Sequence, residues 1–477
     1  MVGTGAGTPL SFFDKVWHEH VIADLGDGAF LVHVDRHFLH EMSGSVSLKE
    51  MDRCGRAVRN PELTFGTVDH VLETHSGRGM TTRMPGGNDF LHEFASRVGP
   101  HGIRFFGLND RRQGIVHVIA PELGVALPGT TFICGDSHTC TVGGIGAFAW
   151  SVGSSDSEHA LATQTAIITR PRTMRVRFEG ALAPGVSAKD MVLALIGRHG
   201  AAGGNGYAIE FAGSAVRSLP VAGRMTLCNM AIEFGGRTGM VAPDEVTFDY
   251  LRGREFAPSG PAWDEAVAYW RTLPTDPRAA FDAEHVVDCA EVAPQVTWGT
   301  SPEHVVAVDA AVPDPALVAD PVARASRVRA LNYAGLEPGA RLAGLPIQGA
   351  FIGSCTNGRL DDLREAAATL RGRRVAPGVM AICTPGSTNV KREAEAEGLD
   401  RVFLDAGFEW RESGCSLCAS GAIGGESFPP RARVIGSTNR NFENRQGPGV
   451  RSHLASPATV AASAVAGCIA DVRTVAA

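Results

Sequence analysis

Short apolar runs alternate along this chain with longer segments of helical spacing, and polar, glycine-containing turns separate them. Thr131-Phe132-Ile133-Cys134 has the unbroken apolar character of a strand buried on both faces. The turn Gly135-Asp136-Ser137-His138-Thr139 follows it, and a helix of small residues is predicted from about Gly144 through Gly153–His159. Ala350-Phe351-Ile352-Gly353 is a second such run. It leads into Ser354-Cys355-Thr356-Asn357-Gly358 and a helix carrying Asp361, Leu363, Ala366 and Leu370. Leu63–Val68 is a third, running into Asp69-His70. Each polar cluster thus falls where a strand ends and a helix is expected to begin, which is where open α/β sheets bind ligands.

The middle of the chain has a different texture. Met174–Phe178 alternates like a strand, and Ser187-Ala188-Lys189-Asp190 has the form of a capping box opening a helix that ends near Gly200. Four prolines, Pro258, Pro261, Pro274 and Pro277, loosen the stretch that follows. The pattern predicts an α/β protein with largely parallel sheets. It divides into a first domain over 1–171, a middle domain over 172–292 and a third over 293–477. There is no fixed-period repeat and no low-complexity tract.

Length and charge narrow the partners. A chain of 477 residues exceeds one ordinary core. The net charge of −7 comes without any block of like charges, which argues against nucleic acid and against an anionic membrane surface. No apolar run is long enough to span a bilayer. Met1–Thr8 lacks the basic and apolar parts of a secretory leader, so a cytoplasmic location is expected. The ten cysteines should then be reduced.

Cys355 sits in a strand-to-helix turn, and Cys415-Ser416-Leu417-Cys418 lies further along the chain. A lone Cys-x-x-Cys is compatible with zinc, with a redox pair or with neither. Three cysteines in glycine- and serine-rich turns suit an iron–sulfur cluster, and three ligands on four irons would leave one iron open to substrate. Ordinary buried cysteines remain the alternative at this point. Cys54, Cys134, Cys140, Cys228, Cys289, Cys383 and Cys468 are read as packing residues.

Phe351–Asn357 resembles the first cluster-ligand motif of the aconitase superfamily, Gly414–Cys418 the second, and Asn439–Arg445 the loop beyond it. The resemblance extends through Asp35-Arg36-His37, Thr67–His70, Gln113–His117, Cys134–Thr139, Leu227–Glu233 and Pro294–Thr300, and so covers nearly the whole chain. Its details are nearest the isopropylmalate dehydratase branch. The resemblance implies three α/β/α domains around a [4Fe-4S] cluster held by Cys355, Cys415 and Cys418. It also implies that the swivelling fourth domain is a separate small subunit, in a heterodimer or heterotetramer. The Ser-Arg-containing loop of that domain is not found here; Gly153–His159 resembles it only superficially and lacks the arginine.

By the same resemblance the substrate is a small dicarboxylate hydroxy acid, and the reaction turns 2-isopropylmalate into 3-isopropylmalate through isopropylmaleate, in leucine biosynthesis. Such an isomerisation needs an acid for the departing hydroxyl, a base for the neighbouring carbon and clamps for the carboxylates. His70, tuned by Asp69, is the candidate acid, and His117 and Glu233 are a further active-site pair. Asp136 and His138 are expected near the cluster, although turn-forming residues capping the next helix would look the same. Ser137, Arg440 and Arg445 are the candidate carboxylate binders. Asn229 and Asn439 are expected beside the cluster, a helix N-cap being the plain alternative for Asn229. His40 stands where aconitase has a substrate-contacting glutamine. Thr141-Val142-Gly143 and Ala419–Ala422 depart from the family pattern, which leaves homocitrate, citramalate or another 2-alkylmalate open as substrate. A cluster-bearing sensor and a zinc-binding structural protein are the readings from other classes.

Overall fold

The computed structural model describes residues 8–475; the opening Met1–Gly7, on which most of the leader argument rests, lies outside them. The chain forms two compact units. One comprises the chain up to Asp69, Asn88–Gly180 and Gly204–Val287; the other comprises His70–Gly87, Ala181–Gly203 and the chain from Asp288. Among the described residues no helix is long and apolar enough to cross a membrane.

The first unit holds a five-stranded parallel sheet. In chain order its strands are Arg36–His40, Thr64–Thr67, Arg104–Phe106, Thr131–Cys134 and Phe148–Ser151. Across the sheet the order is third, second, first, fourth, fifth. The sheet therefore winds outwards from its first strand in both directions, and a crevice opens between the first and fourth strands at their carboxyl ends. Phe38, Phe132, Phe148 and Trp150 fill its core, with Phe13 set edge-on to Phe148 at 5.3 Å. The same unit carries the four-stranded sheet Thr238–Met240, Tyr207–Ala212, Arg172–Glu179, Ala283–Asp288 and a small antiparallel sheet.

The second unit repeats the winding. Gly349–Ile352, Met380–Cys383, Glu409–Trp410, Arg433–Gly436 and Arg451–Leu454 pair in parallel and again lie third, second, first, fourth, fifth. The predicted helix after the first of these strands is Leu360–Leu370. The capping box at Ser187 is present, with Ser187 and Asp190 answering each other, and the helix Ala188–His199 stops at Gly200.

Three local expectations change. The segment after Asp136 is a 3-10 helix, Ser137–Ile145, followed by the strand Phe148–Ser151 and a separate helix, Ser154–Thr163. The glycines at 143–144 bring the backbone too close to its neighbours for a long helix: a Cβ on Gly143 would lie 1.8 Å from the Gly239 carbonyl oxygen. The apolar run after it then completes the parallel sheet. Asp69-His70 does follow a strand, but the next helix begins only at Gly87. Cys54 is exposed rather than packed, because it ends a surface helix beside Glu50. None of the ten cysteines is in a disulfide.

Two buried histidines set a pH limit on the fold. Burial pushes the His37 and His453 imidazoles down to about 3, so both are neutral when folded. The unfolded chain takes up protons on these rings below about pH 6.5. Stability from this source is therefore complete above that pH and declines as pH falls toward 3, by at most about 1.4 kcal/mol per pH unit for each ring. In a His37→Gln variant, proton uptake on unfolding at pH 5 should fall by about one. The check is the slope of urea midpoint against pH, and equal slopes for variant and parent would refute the assignment.

Candidate functional site

In the first unit four of the predicted residues form one chain of contacts. His117 lies in the helix Val116–Glu122, with Nε2 3.1 Å from Asp136 Oδ1, at an angle outside hydrogen-bond geometry. Asp136 follows the fourth strand and caps the 3-10 helix by accepting the His138 N–H at 2.6 Å. Its Oδ1 also stands 3.4 Å from His138 Nδ1. His138 Nε2 meets Glu233 Oε1 at 2.9 Å, so the carboxylate expected to partner His117 hydrogen-bonds His138 instead. The capping reading of Asp136 is met, and the same carboxylate faces two imidazoles. Ser137 Oγ is 3.4 Å from His138 Nδ1. The tight turn requires Gly135, where a Cβ would lie 2.0 Å from Ser43 Oγ.

Asn229 ends the helix Val221–Asn229 rather than starting one, and its amide donates to Thr141 Oγ1 at 2.8 Å. Asp69 is fully buried. Its Oδ2 accepts the Val116 N–H at 3.0 Å, which fixes the start of the His117 helix, and its own N–H donates to Glu41 Oε2 at 3.0 Å. Ligating atoms of His40, Glu41 and Asp69 all lie within 4.8 Å of one another. Glu41 was absent from the sequence reading. Its only signal is a carboxylate directly after the strand Arg36–His40.

In the second unit Cys355, Cys415 and Cys418 are each 5–6% exposed. Cys355 follows the first strand of the sheet and Asn439 follows the fourth, so the two flank the crevice. The Asn439 amide spans two of the sulfurs: Nδ2 donates to Cys355 Sγ at 3.4 Å, and Cys418 Sγ lies 3.9 Å from Oδ1. Arg445 Nη2 reaches Cys418 Sγ at 3.7 Å while its guanidinium lies over Phe442. Arg440 is half-buried on the same loop. Ser354 and Ser416, beside the cysteines, both hold left-handed backbones with φ of 75° and 48°. Non-glycine residues adopt that conformation at a cost, and such strain concentrates at functional sites.

His70 opens the segment 70–87, which is tied to the Cys-x-x-Cys loop. Thr74 Oγ1 donates to Ser416 Oγ at 3.0 Å, Arg78 donates to the Ser413 carbonyl, and Glu412 N–H donates to the Thr74 carbonyl at 2.8 Å. A cavity of about 20 Å³, the size of one water, has His70, Thr74, Ser416 and Glu426 in its wall. Two more buried groups escaped the sequence reading. Arg359 donates to the Cys355 and Thr356 carbonyls at 2.6 and 2.7 Å, and Lys189 donates to the Ser437 and Thr438 carbonyls at 3.2 and 2.5 Å. The one hint of Lys189 was a cation just ahead of the apolar run Met191–Ile196.

Gly353 lets the Cys355 turn form: φ is +154°, and a Cβ there would lie 2.7 Å from the Thr384 carbonyl oxygen. Gly353→Ala should destabilise the chain by more than about 1 kcal/mol. A melting curve checks this, and an unchanged transition would show that the turn relaxes freely.

The family model described as aconitase family (aconitate hydratase) matches residues 14–467. A curated relative, the 3-isopropylmalate dehydratase large subunit 1 of Bradyrhizobium diazoefficiens, is 55% identical over 460 residues, 96% of each chain. Among solved structures, the holo-form of aconitase X from Thermococcus kodakaraensis aligns with 86% of this chain and 84% of its own, at 13% identity and a TM-score of 0.45.

Proposed function

Because the chain belongs to the aconitase family, we propose that it is the large subunit of an isopropylmalate isomerase, a hydro-lyase that dehydrates 2-isopropylmalate and rehydrates isopropylmaleate to 3-isopropylmalate in leucine biosynthesis. The observation that carries this reading is the 55% identity, running end to end, to a relative of that name. Membership of the family implies an iron–sulfur cluster. Cys355, Cys415 and Cys418 would hold it as a [4Fe-4S] group. The donor set fits, being three buried thiols, two of them joined through one asparagine amide, in turns strained at the adjacent serines. When bound, the cluster supplies an open iron acting as a Lewis acid on substrate oxygens.

The remaining work falls to this chain's own side chains. His70 protonates the departing hydroxyl. Asp136 and Glu233 hold the imidazoles of His117 and His138 in fixed orientation for proton transfer. Asp69 is a positioning group, since its carboxylate accepts the first N–H of the His117 helix. Arg440 and Ser137 bind substrate carboxylate. Arg445, given the same role on sequence grounds, has its guanidinium against the Cys418 sulfur, which supports a part beside the cluster as well. Asn439 lies against two of the sulfurs. Asn229 is assigned to the cluster surroundings by resemblance.

Three domains, at 1–171, 172–292 and 293–477, remain the proposed division. Its support is that each stretch contains a sheet of its own. The partner is a small subunit of swivel-domain type, in a heterodimer or heterotetramer, and the setting is the cytoplasm.

Anaerobically isolated protein should be brown and carry about four irons per chain, and Cys355→Ser should lose most of the iron and all activity. Full iron content in that variant, or zinc in the parent, would overturn the ligand set. Turnover of 2-isopropylmalate should require the small subunit. Appreciable activity of this chain alone, or a clear preference for another 2-alkylmalate in the reconstituted pair, would overturn the corresponding part of the reading.

A further inference from the structure

Lys189 is a charged residue with no exposed surface. It is the second residue of the helix Ala188–His199, and the seven residues after it are all buried. Burying an ammonium costs several kcal/mol before compensation, and an apolar side chain of similar volume often does as well or better for stability. The compensation here goes to particular atoms: Nζ donates to the carbonyl oxygens of Ser437 and Thr438, at 3.2 and 2.5 Å.

Those two residues are the junction between the fourth strand of the second unit's sheet and the Asn439 loop. Ser437 N–H donates to the Phe351 carbonyl at 3.0 Å, and its Oγ accepts the Gly353 N–H at 3.1 Å. Phe351 and Gly353 lead directly to Cys355. On the other side, Thr438 leads directly to Asn439, whose amide touches the sulfurs of Cys355 and Cys418. One buried cation thus holds the hinge from which both walls of the crevice are hung. Arg359 grips the Cys355 side in the same manner, through the carbonyls of Cys355 and Thr356.

We propose that Lys189 is a positioning residue for the thiol site, holding Asn439 against Cys355 and Cys418 through the Ser437 and Thr438 carbonyls, with Arg359 as its counterpart on the Cys355 loop. The proposal rests on the reading of these cysteines as the functional centre, but it is a statement about loop geometry that holds with or without the cluster.

The test uses the full chain made iron-free, with iodoacetamide labelling of Cys355 and Cys418 followed by peptide mass spectrometry. Lys189→Met should label at least five times faster at both cysteines than the parent, with Lys189→Arg recovering most of the protection. Ser187→Ala is the control for stability, since loss of that cap weakens the same helix by about 1 kcal/mol without touching the carbonyls; its labelling should match the parent. In iron-loaded protein, removal of iron by a chelator should follow the same order. Equal labelling of Lys189→Met and parent, or equal acceleration in Ser187→Ala, would overturn the proposal. Should Lys189→Met fail to fold, Arg359→Lys gives the same readout on the Cys355 loop: faster labelling of Cys355 supports the proposal and parental labelling overturns it. An iron-free parent would count against the cluster alone, because the labelling order would still decide the positioning claim.

Discussion

Both five-stranded sheets are wound outwards from their first strand, and the crevice left between first and fourth strands governs where polar chemistry can sit. In the first unit the residues at those strand ends are His40, Glu41 and Asp136; in the second they are Cys355 and Asn439. Parallel strands end their hydrogen-bonding ladder at the same edge, so the loops there must find other partners for their backbone groups. Here those partners are charged side chains. Glu41, Asp69 and Asp136 accept backbone N–H groups, while Lys189 and Arg359 donate to carbonyls.

The polar residues of the two crevices are thereby part of the fold, and any chemistry they carry is held by the same contacts. Asp136 caps a 3-10 helix with the same oxygen that faces His117 and His138. Asp69 anchors the helix that carries His117. A side chain so committed cannot drift between rotamers, and the imidazoles it faces inherit that order. The cost is strain, visible at Ser354 and Ser416, and close backbone approach at Gly135 and Gly353.

The candidate motifs were legible as sequence because thiols in glycine-rich turns, Asp-His after a strand and arginines among asparagines are unusual in their setting and together resemble those of a known family. Their supports were not. Glu41, Lys189 and Arg359 carry no motif, and a charged residue in a helix reads as surface until its burial is known. The small-residue segment after Asp136 also misled, because its glycines, weak in a helix, serve close backbone packing instead.

The three cysteines stood apart from the rest only through the family resemblance, whereas by itself the sequence determined the alternation of strands and helices, the largely parallel character of the sheets and the capping box at Ser187. These depend on local periodicity and on residue chemistry, both of which are written along the chain. Only the tertiary structure decided that Asn439 spans two sulfurs from a position 84 residues beyond one of them, that Asp136 is shared between two histidines, and that a lysine from a distant helix holds the hinge. Contacts of that kind depend on strand order and register, which arise from packing of the whole chain and leave no periodic trace in it.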